Sequence, residues 1–400
     1  MKKILLVSAI AASTLLASGY KIPEQSLNST ALAGAYVSNA TTADAAYFNP
    51  ANMAFMSEDK HLELNAMYIH LNPTDFEGSV FNGTDHTAQS ASEDFVIPQI
   101  YLVSAPLGED KDVRIGISVN APGGLTKRWP EGIESALAEE FSLTIIELNP
   151  TVSYRILDNL SIAGGVRFLH SSGVVKSTKG LDLEGDSWDM GYNVALSYKP
   201  FEMWGIAATY RSNVDLTEEG GAKVVHPQYG LVTVPATVEV PLPATATIAT
   251  DVDVTDSTNI EFVYERAFWS SYNELDIQVM GQSINASGKP TPKNWVDTNT
   301  FRLGLTQGLG DSVDLMVGLV YDESPVPDET IGFELPDSNA LIGSIGARWA
   351  MSDKLDIGAA VLYDQKEDRT VKAEDNDNQL DGTFSNSSAL LVSVGLGYKF

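Results

Sequence analysis

Four arginines offer the most defined chemistry in this sequence: Arg167, Arg211, Arg302 and Arg348 alternate with Val166 and Phe168, Tyr210, Phe301 and Leu303, and Trp349. Side chains along a strand point to opposite faces in turn, so this pattern sends the guanidinium one way and the apolar group the other. In a barrel with an apolar exterior all four point inward, where a guanidinium can hold a ligand carboxylate through two parallel hydrogen bonds. The competing assignment pairs each arginine with an Asp or Glu of the wall, or of the segment before the first strand.

Little else in the chain can make or break bonds. The histidines are His61, His70, His86, His170 and His226, with no HExxH, no GxSxG, no glycine-rich phosphate loop and no cysteine. A dispersed triad built on His170 or His226 has nothing positive to support it, so no enzyme, cofactor or metal is expected. A formal net charge of -28 opposes nucleic acid as a partner, which requires basic patches. Much of the acid falls in the long connections, and dense segments such as 322–328 and 367–381 are read either as solvated loops or as divalent-cation ligands beside a lipopolysaccharide surface.

The elements that hold these residues follow from patterning. Lys2 and Lys3, an apolar run over 4–16 and the small residues Ala17, Ser18 and Gly19 predict a signal peptide over 1–19, with the mature chain starting near 18–20. No later stretch reaches the ~18 consecutive apolar residues of a membrane helix. Instead Leu355, Ile357, Ala359, Val361 and Tyr363 alternate with Asp356, Gly358, Ala360, Leu362 and Asp364, and Leu390 to Phe400 repeats the pattern up to an aromatic carboxyl terminus.

Fourteen such segments are predicted, near 60–71, 95–106, 112–121, 142–157, 159–177, 186–199, 203–218, 238–253, 257–281, 297–309, 311–322, 339–351, 354–372 and 384–400, the ninth divisible into two pieces. Short turns at 106–111, 157–159, 199–203, 254–257, 308–312 and 351–354 alternate with long connections such as 72–94, 121–141, 218–238 and 281–296. That alternation is the mark of an all-β, transmembrane antiparallel barrel, with short turns in the periplasm and long loops outside. Tyr68, Tyr154, Tyr198, Trp204, Trp269, Tyr272, Tyr321 and Trp349 are candidates for aromatic girdles at the bilayer interfaces. A helix-compatible stretch, 132–141, places Ile133, Leu137 and Phe141 on one face as part of an apolar groove or of ordinary loop packing.

Residues 20–56 read YKIPEQSLNSTALAGAYVSNATTADAAYFNPANMAFM, and with Glu24-Gln25-Ser26, Gly34-Ala35-Tyr36, Ala43-Asp44-Ala45-Ala46 and Asn49-Pro50-Ala51 the chain resembles the FadL-type family of outer-membrane transporters for long-chain fatty acids and other hydrophobic compounds. Ile97-Pro98, Ser104-Ala105-Pro106, Tyr210-Arg211-Ser212 and Tyr321-Asp322-Glu323-Ser324-Pro325-Val326-Pro327 extend the resemblance along the barrel. It implies a hatch over 20–59 inside a fourteen-stranded barrel over 60–400, located in the outer membrane of a Gram-negative bacterium. It further implies passive uptake with sideways release through a kink in the third strand, matched here by Asn120-Ala121-Pro122-Gly123-Gly124.

Pro122 cannot donate a ladder hydrogen bond, so a strand break is physically reasonable there, although the same residues also suit the start of a loop. Pro50 fixes a turn and biases Asn49 toward extended backbone. Implied partners are fatty acids or hydrocarbons, outer-membrane lipid and lipopolysaccharide, and the barrel-assembly machinery, for a monomer. The short gap at 178–185, where fatty-acid carriers of the family often have a long helical loop, leaves the substrate class open. The alternatives are a general porin for polar solutes and a barrel enzyme.

Overall fold

A computed structural model of the chain describes residues 19–81, 83–226, 229–284 and 288–400; the expected signal peptide lies outside them except for Gly19. The alternating segments form fourteen antiparallel strands. They are β1 (His61–Leu71), β2 (Glu93–Val103), β3 (Val113–Arg128), β4 (Glu140–Leu157), β5 (Leu160–Ser177), β6 (Leu181–Phe201), β7 (Trp204–Arg211, continued by Val214–His226), β8 (Gly230–Leu242, continued by Thr245–Thr255), β9 (Thr258–Ala267), β10 (Thr298–Leu309), β11 (Val313–Asp322), β12 (Ala340–Ala350), β13 (Leu355–Lys366) and β14 (Ser388–Lys399).

Each strand pairs with its neighbours in sequence, and β1 pairs with β14 from His61↔Lys399 to Leu71↔Ala389, which closes the cylinder. Closure matters because a lipid-facing edge strand would leave backbone donors and acceptors without partners. On β11 the side chains of Leu315, Val317, Leu319 and Tyr321 lie exposed on the outside, while Met316, Val320 and Asp322 are buried within. Among the described residues no helix is long and apolar enough to cross a membrane.

The segment before β1 is largely buried and packs on inward-facing residues of the strands. It forms α1 (Leu27–Ala31), α2 (Ala45–Phe48) and a 3-10 turn over Pro50–Phe55. Ser26 caps α1 by accepting from the Ser29 amide at 3.1 Å. Asn49 caps the turn that Pro50 begins, with φ -151° and ψ 87°, and its side-chain oxygen accepts from the Ala51 amide at 3.2 Å. Close approach to the wall requires glycine at Gly318, where a Cβ would come within 2.2 Å of the Leu32 backbone. Ser344 Oγ donates to the Ala31 carbonyl at 2.7 Å, and Glu261 accepts from the amides of Val37 at 2.7 Å, Ser38 at 2.6 Å and Asn39 at 3.2 Å.

Several local expectations differ from what forms: β3 runs on to Arg128, into the connection expected at 121–141, and β9 ends at Ala267 rather than near 281. The connection expected at 218–238 is instead a hairpin, paired from Val214↔Leu242 to His226↔Gly230. Its Glu218-Glu219-Gly220-Gly221 run looks like a loop, but a strand that projects beyond the acyl layer needs no apolar outer face. Within 132–141 only α3 (Ser135–Ala138) is helical, because Glu140 and Phe141 already pair with β3 and β5. Trp269 and Tyr272 are not girdle residues: both are buried inside, in an edge-on cluster with Tyr20 and Trp295.

At the long-loop end, Asp75–Val80, His86–Gln89, Arg369–Val371 and Leu380–Ser385 make a separate four-stranded sheet. Phe76, Phe333, Phe384 and Trp129 pack beneath it with ring centroids about 5 Å apart. His86 Nε2 reaches the buried Glu134 carboxylate at 2.5 Å, and that bond raises the histidine pKa above 6.5.

Candidate functional site

The β2–β3 ladder is the weak place in the wall. It runs only from Val103↔Gly116 to Ile100↔Val119, although β3 continues and stays paired with β4 as far as Arg128↔Glu140. On that outer half the alternation is lost, and every residue from Asn120 to Lys127 is buried. The strand has turned inward. A bulge between Asn120 and Gly123 explains the turn: Asn120 pairs with Glu147 and Gly123 with Ile145, so β3 carries an extra residue around Pro122, which has no amide hydrogen to give.

Backbone groups released from β2 need other partners. The leading segment supplies them: Ile22 donates to the Pro122 carbonyl at 3.0 Å, Gly124 donates to the Tyr20 carbonyl at 2.8 Å, and the Gln25 side chain donates to the Ala121 carbonyl at 2.7 Å and accepts from its amide at 3.0 Å. The gap between β2 and β3 is closed at its outer end, where Ala91 donates to the Arg128 carbonyl at 2.8 Å and Arg128 pairs with Glu93 at 2.6 Å. Gln99 and Asn120, which edge the gap, are buried with side-chain nitrogen and oxygen lacking a hydrogen-bond partner.

Behind the inward turn lies a cavity of about 90 Å³ lined by Lys21, Pro122, Arg167, Arg211, Glu265 and Arg302, among others. Three of the four arginines singled out by phase therefore meet there, joined by Lys21. All are paired. Arg167 Nε donates to Glu147 at 2.7 Å and Arg211 bonds the same carboxylate, while Lys21 at 2.5 Å and Arg302 at 3.7 Å share Glu265. Lys21, Arg167, Arg211 and Arg302 thus face Glu147 and Glu265, an excess of positive charge, and Arg211 Nη1 and Arg302 Nε have no acceptor. The Tyr47 ring covers the Arg211 guanidinium at 4.3 Å.

Arg348 is elsewhere. It lines a cleft of about 340 Å³ toward the short-turn end with Thr42, His61, Glu63, Asp356 and Lys399, and pairs with Glu63 at 3.1 Å and Asp356 at 2.5 Å. Asn49, Pro50 and Ala51 are buried in the 3-10 turn, where Asn49 Nδ2 donates to the Val37 carbonyl at 3.0 Å, so they shape the leading segment rather than touch the cavity.

Outside, an apolar groove of about 530 Å³ runs between the loops, walled by Leu137, Phe141, Leu181, Leu275, Ile277 and Phe333. Below it a constriction of about 20 Å³ is lined by Tyr20, Leu125, Leu143, Val240, Tyr272 and Trp295. Phe141, Lys293 and Glu334 border both. Among the described residues no group of three or more side chains is arranged to hold a metal ion.

A closed barrel with an outer apolar groove, a charged inner cavity and an interrupted third strand suits transport. Residues 8–400 match the family described as "Outer membrane protein transport protein (OMPP1/FadL/TodX)". This chain belongs to that family. It is accordingly an outer-membrane transport protein and not an enzyme. The "Long-chain fatty acid transport protein" of Escherichia coli O6:H1 is 24% identical over 447 residues, covering 98% of this chain and 96% of its own. In structure, a Pseudomonas aeruginosa FadL homologue matches with a TM-score of 0.84 at 19% identity, covering 96% of this chain and 100% of that one. The Pseudomonas putida toluene transporter TodX matches at 0.69 with 15% identity over 97% and 100%. At such identities the structural matches speak for the shared fold alone.

Sequence reasoning missed Lys21, Glu147, Glu265, Lys293 and Glu334. Glu147 and Glu265 share the inward phase of the arginines on neighbouring strands, a signal that needs the register before it can be read.

Proposed function

We propose that the protein takes up hydrophobic molecules passively from outside the cell, long-chain carboxylates among them, and releases them sideways into the bilayer between β2 and β3. The outer groove receives the apolar tail, the cationic cavity receives the head group, and the leading segment, acting as a hatch over 20–59, blocks the axial path. An alkyl chain kept out of water gains about 0.8 kcal/mol per CH2. A route from apolar groove to acyl tails therefore runs downhill, whereas an aqueous channel would not.

The observation that carries this reading is the loss of the β2–β3 ladder beyond Ile100 and Val119, with leading-segment backbone in β2's place. Deleting Pro122 removes the extra residue and allows β3 to realign with both neighbours. The barrel should still assemble, and uptake of a radiolabelled fatty acid should fall to background. Undiminished uptake would refute sideways release.

A second cargo class, neutral hydrocarbons, is favoured by the pairing of every cavity cation with a wall carboxylate, which lowers its availability to a ligand. Competition between an unlabelled hydrocarbon and the labelled acid separates the two. Inhibition means a shared path; independence means that one of them does not use it.

A further inference from the structure

The outer groove and the constriction below it meet at three side chains, Phe141, Lys293 and Glu334, and two of these form an ion pair. We propose that the Lys293–Glu334 pair is a head-group gate, opened when a cargo carboxylate replaces Glu334 on Lys293. The inference rests on the transport reading above and names the residues that select cargo at its entrance.

The two partners are unequally held. Lys293 has a side chain only 7% exposed, its amide donates to the Asn273 carbonyl at 2.7 Å, its carbonyl accepts from Thr330 Oγ1, and the preceding Thr291–Pro292 pairs with Glu274–Leu275. Glu334 is 26% exposed and sits in the 323–339 connection, clear of any strand. The cation is therefore the fixed member and the carboxylate the movable one. A buried ammonium left without a counter-charge is strongly disfavoured, so a neutral molecule cannot part the pair without stranding Lys293. A carboxylate can, because it takes over the same charge-assisted hydrogen bonds while Glu334 swings to water. Phe141, the third side chain at the junction, then lies against the alkyl chain following the head group.

The test uses the full-length protein in proteoliposomes with two probes of equal chain length, a long-chain fatty acid and the matching alcohol. Lys293→Met should cut the acid-to-alcohol uptake ratio about tenfold, the worth of one hydrogen bond to a charged group. Lys293→Arg should keep acid preference, and Glu334→Gln, which unlocks the gate, should raise alcohol uptake. Each variant is first checked for the heat-resistant folded barrel. A ratio unchanged by both Lys293→Met and Glu334→Gln, with the wild type transporting normally, would overturn the gate. Wild-type protein that takes up neither probe would instead overturn the transport reading itself.

Discussion

The Glu261 carboxylate grips the Val37–Asn39 turn of the proposed hatch, beside a bond from Ser38 Oγ to Asp251 at 2.6 Å, and removing it should loosen that part of the segment. The side chain rises from β9 and is buried, accepting three backbone amides in a row from Val37, Ser38 and Asn39. Hydrogen bonds to a charged group are worth about 1.5–3 kcal/mol each. They do not simply add, because burying the carboxylate carries its own desolvation cost of several kcal/mol. A net of about 3 kcal/mol for the grip is reasonable, which is a change of roughly 150-fold in the undocked population. Asn52 Nδ2 donates to the carbonyls of Val37, Ser38 and Ala40, so the turn keeps its shape and leaves as a unit.

The chain has no cysteine, so a single Ala40→Cys reporter, fully buried when the hatch is docked, gives a clean readout. In a Glu261→Ala background a membrane-impermeant maleimide should label it roughly 100-fold faster, in line with the shift in population. Labelling within about twofold of the parent rate, in a barrel that remains heat-resistant, would refute the idea that this carboxylate fixes the plug.

Two further outcomes follow, one from the inner cavity and one from the four-stranded sheet at the long-loop end. Arg302→Met leaves Glu265 with Lys21 and removes one cation from the cavity, so fatty-acid binding should weaken about tenfold while binding of a neutral hydrocarbon changes little; isothermal titration with both ligands checks this. His86 has its pKa raised by Glu134, so the docked loop favours the charged ring: its contribution is complete below the ordinary value of 6.5 and is lost as pH rises through the raised one. Amide protection over His86–Gln89, the exchange rate divided into its intrinsic value at the same pH, should accordingly be higher at mildly acidic pH than at alkaline pH, and a protection factor that does not change with pH would show that the bond does not hold the sheet.

The barrel was legible because lipid contact forces a period of two on every spanning segment, as in Leu355 to Asp364, and because tight turns must use residues such as Asn159 and Gly310. Beyond the acyl layer that rule lapses, which is why the β7–β8 hairpin, with Glu218 and Glu219, resembled a loop. Trp269 and Tyr272 show the converse: an aromatic beside a strand end has the same local pattern whether it faces the interface or packs on Tyr20. The inward direction of Arg167, Arg211, Arg302 and Arg348 could be read from parity. Their partners could not, since Glu147 meets Arg167 and Arg211 only through the registers of β4, β5, β6 and β7. Lys21 was invisible as a cavity residue because nothing local says that the leading segment bridges to Gly123.

The claim on which the account turns is the exit between β2 and β3, and photo-crosslinking during transport tests it most directly. A fatty acid with a diazirine at the end of its tail, activated during uptake and mapped by mass spectrometry, should label residues beside the gap, such as Phe95, Ile97 and Leu125. Label found instead on Thr42, Ser57 and Asp314, around the cleft at the short-turn end, would mean that cargo passes straight down the axis, contradicting sideways release.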